Sequence, residues 1–141
     1  MHGVPEPRHV YQITVRTTPG ALWAALTDPE QTCQYWYGAR NNSAWTPGSR
    51  WTSESAEGES YLEGEILEAD PPRRLVHTFH VVHEVEAAAD PPSLLEFTIR
   101  PTGGVCHLKL VHSRTDPATE AYIEGGWEHI LDGLRTYLEG R

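Results

Sequence analysis

The chain has little of what a membrane or a polyphosphate would select for. No apolar run approaches the ~20 residues that a bilayer-crossing helix needs, and the opening Met1-His2-Gly3-Val4-Pro5-Glu6-Pro7-Arg8 has no apolar core of the signal-peptide type. The expectation is a cytoplasmic protein with no membrane insertion. Lys109 is the single lysine, Arg73-Arg74 is the single basic pair, and 11 basic against 20 acidic residues give a formal charge of -9. Phosphate backbones and anionic lipid surfaces are held by clusters of Lys and Arg, so nucleic acid and anionic membranes are excluded as expected partners.

Thiols and catalytic motifs are scarce too. Cys33 and Cys106 stand far apart and outside any Cys-x-x-Cys pair, which predicts two buried thiols and leaves zinc without a thiolate anchor. There is no Gly-x-Ser-x-Gly elbow, phosphate loop or dinucleotide fingerprint, and Gly103-Gly104 reads as a hairpin turn. Eight histidines raise a metal site, but the strand period opposes it. Ligands on one strand must be i and i+2, whereas His77 and His83 lie six residues, or about 20 Å, apart. His80 points to the opposite face, and His107 and His112 differ in parity. Glu63 and Glu65 share a strand face opposite Leu62, Gly64 and Ile66, so they are expected in water rather than paired for acid-base work. No catalytic residue, metal or cofactor is predicted.

The sequence does carry a clear order of elements. Val10 to Arg16 alternates with period two, placing Tyr11, Ile13 and Val15 on one side of a strand. Thr18-Pro19 and Asp28-Pro29 each combine a cap with a proline at the first helical position, predicting two short helices, the second reaching about Tyr35. Strand signals then run from Tyr37 to Val111, punctuated by turn clusters that include Asn41-Asn42-Ser43, Pro47-Gly48, Glu57-Gly58 and Asp70-Pro71-Pro72. Glu86 to Pro92 reads as an exposed loop. Leu95, Phe97 and Ile99 share a face, as do Cys106, Leu108 and Leu110. After Asp116-Pro117 the period becomes 3.6, with Ile123, Trp127, Ile130, Leu131, Leu134 and Leu138 in one stripe, so residues 117 to 139 are expected as one helix. One strand, two short helices, a run of strands and a long helix make an α+β fold, in which only the sheet is large enough to cover the stripe.

The last helix also carries a family resemblance. Gly126-Trp127-Glu128-His129-Ile130-Leu131-Asp132-Gly133-Leu134 resembles the Gly-Trp-x-x-x-Leu-x-x-Leu signature of the homologues of the heat-shock protein 90 ATPase activator. That family lies within the START and birch-pollen-allergen-like (SRPBCC, polyketide cyclase) superfamily. Thr18 to Glu30, Trp36, Gly64 to Val76 and Leu108 to His112 resemble further family segments in the same order, so the likeness spans roughly residues 9 to 139. The resemblance implies a helix-grip fold: a curved antiparallel sheet wrapped around the C-terminal helix, as one START-like domain over residues 8–141 behind a flexible tail at residues 1–7. It further implies a cavity of the kind that holds lipids, sterols, polyketides or hormones, with cyclase or dehydratase chemistry in a few members. After His112, Ser113-Arg114-Thr115-Asp116 replaces the family's glycine and aromatic, which implies a different pocket lip.

The expected pocket lies between the concave face of the sheet and the last helix. Its candidate residues are Trp36, Trp51, Tyr61, Phe79, Phe97, Leu110, His112, Trp127 and Leu131. Large rings can wall a cavity and offer a polar edge, or they can simply fill the core. His112 and His129 could bind a carbonyl or move a proton, or merely pack or meet water. Gly125-Gly126 costs a helix about 1 kcal/mol per glycine relative to alanine, so either a close approach to the sheet or a bend that opens the pocket must compensate. The leading expectation is a binder of a small apolar or aromatic ligand. The alternatives are a polyketide cyclase/dehydratase-like enzyme and an interaction module of the chaperone-ATPase-activator type, with oligomeric state left open.

Overall fold

The structure, a computed structural model, describes residues 8–140, so the expected tail at residues 1–7 lies outside the described residues. The chain runs β1 (Arg8–Val15), α1 (Pro19–Thr27), α2 (Pro29–Thr32), β2 (Arg40–Ser43), β3 (Arg50–Glu54), β4 (Ser60–Asp70), β5 (Arg74–Val81), α3 (Val85–Ala88), β6 (Ser93–Thr102), β7 (Val105–Ser113), α4 (Pro117–Ile123) and α5 (Gly126–Glu139). The strands form one antiparallel sheet in the order β1-β7-β6-β5-β4-β3-β2. Strands β2 to β7 follow one another as a meander, and β1 returns to pair with β7. This is the α+β helix-grip architecture. Among the described residues, no helix is long and apolar enough to cross a membrane.

Period two becomes rows of buried and half-buried side chains across the sheet. Tyr11, Leu110 and Phe97 are neighbours in register, as are Ile13, Leu108 and Ile99. The stripe of α5 covers these rows: Trp127, Ile130, Leu131, Leu134 and Leu138 are all buried, and the helix packs over β1 and α1. Burying one Leu or Ile contributes roughly 1.5–3 kcal/mol, so several such residues outweigh the ~1 kcal/mol cost of a helical glycine. Gly133 is where close approach matters, because a Cβ there would stand 3.3 Å from Tyr35 Cβ. At the other end of the chain, Thr18 accepts a hydrogen bond from the Ala21 N–H at 3.1 Å and Asp28 one from Glu30 at 3.0 Å, as their caps predict.

Four expectations are corrected. The helix expected over residues 117–139 is broken: α4 stops at Ile123, Glu124 leaves helical geometry, and Gly125 takes φ +75°. The apolar stripe reads through because one turn separates Ile123 from Trp127. Asn41-Asn42-Ser43 is edge strand β2 rather than a turn. It pairs with β3, and the Thr32 hydroxyl holds it from behind by donating to Ala39 O and accepting from the Asn41 N–H. The segment from Glu86 is not all exposed loop. Glu84 caps α3, Ala87 is buried, and Asp90 Oδ2 accepts from the N–H and hydroxyl of Thr119 in α4 at 2.7 and 2.9 Å. Both thiols are free, but only Cys106 is buried, whereas Cys33 is half-exposed.

One glycine is required by close packing. Trp51 sits opposite Gly64 and passes its indole across that residue to donate to Thr78 O at 2.8 Å. The β4–β5 ladder opens there, and Glu65 N–H is satisfied by the Thr78 hydroxyl at 2.9 Å. A Cβ at position 64 would lie 2.1 Å from Trp51 Nε1 and 2.2 Å from Thr78 O. Gly64→Ala is therefore expected to displace the indole and to cost about 1–3 kcal/mol or more from overpacking. Gly20→Ala, which meets nothing within 4 Å inside α1, is expected to be neutral or to stabilise by up to ~1 kcal/mol. Thermal melting of the two variants beside the parent checks the contrast.

Candidate functional site

A cavity of about 260 Å³ lies between the sheet and the α4–α5 break. Its depth is apolar apart from the buried Ser53. The segment after α2 contributes Trp36 and Ala39, the sheet contributes Leu62 and Phe79, and the helices contribute Ile123, Trp127 and Ile130, all of them buried. Its mouth is wet: Tyr37, His83 and Glu124 are exposed there. Tyr61 and Tyr122 flank His83, with ring centroids 4.7 and 5.5 Å away. Burial pushes the Tyr122 phenol up to about 12, followed in effect by nearby Tyr61. Tyr37, at φ +50°, stacks on His129 at 4.7 Å. Gly126 opens α5 at the wall, and the turn at Gly125 is what keeps α4 and α5 from continuing as one rod.

Of the residues singled out in the sequence, Trp36, Tyr61, Phe79 and Trp127 line this cavity. Trp36 and Trp127 meet edge to face at 5.4 Å, and Phe79 lies 6.0 Å from Trp127. Trp51, Phe97, Leu110, His112 and Leu131 are buried but are not among its lining residues. Trp51 is committed to Thr78, Phe97 and Leu110 belong to the sheet row under α5, and Leu131 packs from the β1 side of the helix. Sequence reasoning passed over Tyr37, Ala39, Ser53, Leu62, His83, Tyr122, Ile123, Glu124 and Ile130 as wall residues, while Gly125-Gly126 reads there as either a close approach to the sheet or a bend that opens the pocket. For Ile123 and Ile130 the stripe itself was a usable signal. For the loop residues there was none.

His112 stands one layer behind the wall and is fully buried. Trp127 Nε1–H donates to its Nδ1 at 3.0 Å, so the proton sits on Nε2, which donates to Ser93 Oγ at 2.7 Å. Ser93 passes its own proton to Phe79 O at 3.0 Å. Every donor in this relay has one acceptor, and a second proton on His112 would face the indole N–H. Burial, then the nearby His9 and His77, lowers the His112 pKa to about 3. His77 is likewise buried, donates from Nδ1 to Thr78 O at 2.8 Å, and is lowered to about 4, chiefly by burial. His112 is thus a neutral strut that orients the indole of the wall. The pair within hydrogen-bond reach that could handle protons, His9 and Glu120 at 2.8 Å, lines no part of the cavity. Among the described residues, no three His, Cys, Asp or Glu side chains gather as a metal-binding group.

These two histidines predict a pH dependence. Their folded pKa values lie below the ordinary 6.5, so as pH falls the unfolded chain takes up protons first and stability falls with it. Stability is fully present above about pH 6.5 and declines toward the folded values. At pH 5 each histidine accounts for a loss on the order of 2 kcal/mol. Melting temperatures should be flat from pH 7 to 8 and drop between 6.5 and 5, with a shallower drop in a His112→Gln variant. A flat profile down to pH 5 would contradict the neutral strut.

The comparisons with known proteins agree with the fold. The backbone superposes on a Mesorhizobium loti protein with a TM-score of 0.80 at 25% identity, covering 95% of this chain and 98% of that one. CalU16 from Micromonospora echinospora matches with a TM-score of 0.75 at 21% identity over 93% of this chain and 75% of its own. An HSP90 activator from Plasmodium falciparum matches with a TM-score of 0.76 at 16% identity over 93% and 95%. No curated protein matches the sequence. The pattern of the Activator of Hsp90 ATPase homolog 1-like proteins matches residues 16–139, nearly the whole chain, and the chain belongs to that family.

Proposed function

We propose that this protein binds a small, largely apolar molecule in the cavity between the sheet and the α4–α5 break. The observation that carries the reading is the cavity itself: about 260 Å³, with Trp36, Phe79 and Trp127 at its depth and the exposed Tyr37, His83 and Glu124 at its mouth. A void of about 150 Å³ with apolar walls holds benzene, and drug-sized ligands occupy roughly 300–1,000 Å³. The volume suits a flat body of about two rings. Binding is favoured over catalysis because His112 is occupied on both nitrogens and the His9–Glu120 pair lines no part of the cavity. An interaction module of the chaperone-activator kind draws support from the family and from the fold shared with the Plasmodium protein. Among the described residues, however, the large exposed apolar side chains come from separate elements: Val10 from β1, Leu67 from β4, Val85 from α3 and Tyr37 from the loop after α2.

Naphthalene is a suitable probe, with calorimetry as the readout. The parent is expected to bind one equivalent. Gly126→Leu, whose Cβ would stand 3.8 Å from Tyr37 Oη in otherwise open space, should fill the mouth and weaken binding at least tenfold while leaving the melting temperature close to that of the parent. Equal binding by parent and variant would place the probe elsewhere and reject the cavity. Trp127→Ala should lower stability by about 3–5 kcal/mol and enlarge the void, so naphthalene should raise its melting temperature more than that of the parent.

A further inference from the structure

The depth of the cavity holds one polar side chain that the protein leaves without a partner. Ser53 is 1% exposed and lines the cavity, yet its Oγ has no hydrogen-bond partner. Directly across the β2–β3 ladder stands Asn41, 2% exposed, whose Oδ1 is also without one. Residues opposite each other in an antiparallel pair project to the same face with Cβ atoms about 4.5–5.5 Å apart. Asn41 also follows the cavity residue Ala39 by two positions, with β2 beginning between them at Arg40. The register of β3 against β4 shifts immediately after Ser53, the kind of irregularity that re-aims a side chain next to a site. Buried polar atoms are normally paired; Ser53 Oγ lies on the cavity wall, and Asn41 Oδ1 belongs to the residue directly across the ladder from it.

Their chemistry specifies the complement. Asn41 Oδ1 can only accept, while the Ser53 hydroxyl donates one proton and accepts others. An ether or ketone could take the serine proton but would bring no donor for the pair. A ligand hydroxyl supplies both functions: it accepts from Ser53 O–H and donates to an orphaned oxygen. Elsewhere the depth is Trp36, Leu62, Phe79 and Trp127, which offer flat apolar contact. The geometry points to Ser53, with Asn41 beside it, as the polar anchor for a hydroxyl group on a flat, two-ring-sized apolar ligand. This inference rests on the pocket reading above and adds the class of ligand.

Titration calorimetry with naphthalene, 2-naphthol and 2-methoxynaphthalene separates the two claims. In the parent, 2-naphthol should bind at least tenfold more tightly than either of the others. Ser53→Ala should abolish that preference while keeping naphthalene affinity within threefold and the melting temperature of the free protein unchanged or higher, since it removes an unpaired buried oxygen. Asn41→Leu should also reduce the preference, and Ser53→Ala decides the matter if that larger change disturbs β2. Equal binding of all three probes by the parent would overturn the anchor and leave the pocket standing. Persistence of the preference in Ser53→Ala would overturn it too, whether or not the variant melts lower. Failure of every probe to bind would remove the pocket and the anchor together.

Discussion

The indole of Trp127 has to be buried at both its apolar face and its polar edge, and the structure is organised around that double demand. Its N–H cannot be left unpaired without a penalty of about 1–3 kcal/mol. It is met by His112 on β7, which is met by Ser93 on β6, which is met by the Phe79 carbonyl on β5. The relay therefore ties α5 to three strands through one line of hydrogen bonds. It also demands a neutral imidazole with its proton on Nε2, and the surrounding burial enforces that state. The apolar stripe of α5 gives the helix its affinity for the sheet, and the relay sets its register there.

The cavity follows from where that docking stops. Trp127, Ile130, Leu131, Leu134 and Leu138 press on the sheet, but the chain before Gly126 turns away at Gly125 and does not fill the space over β3, β4 and β5. The start of α4 is held elsewhere, by Asp90 on Thr119 and by Glu120 shared between His9 and Thr115. Tyr37, His83 and Glu124 bring solvent to the opening, and apolar rings close the depth. The void persists because the rings around it are already engaged: Trp36 edge-on to Trp127, and Phe79 against His112. Each would have to leave a favourable contact to collapse inward.

The order of elements, the buried faces of β1, β6 and β7, the two capped helices and the stripe of the last helix were all legible in the residues, because each is a local pattern of period or capping. The family was legible for the same reason, since its segments recur in order along the chain. Trp36, Tyr61, Phe79 and Trp127 could be picked out as rings suited to a wall. Trp51, Phe97 and Leu110 looked equivalent by type and parity, yet the first spends its polar edge on Thr78 across Gly64 and the others lie beneath α5. Periodicity names the buried face of a strand but not what stands opposite each point along it.

By itself, then, the sequence determined the class of fold and which side chains leave water, since both depend on neighbours within a few residues. Tertiary structure alone decided that Asn41-Asn42-Ser43 would be a strand, because that needs β3 alongside and Thr32 behind. It decided that Gly125 would break the helix, because the competing contacts of α4 come from residues around 30 and 110 positions away. It made His112 a strut, through hydrogen bonds across 15 and 19 residues, and left Ser53 unpaired at the depth of the cavity, since both depend on how the layers meet.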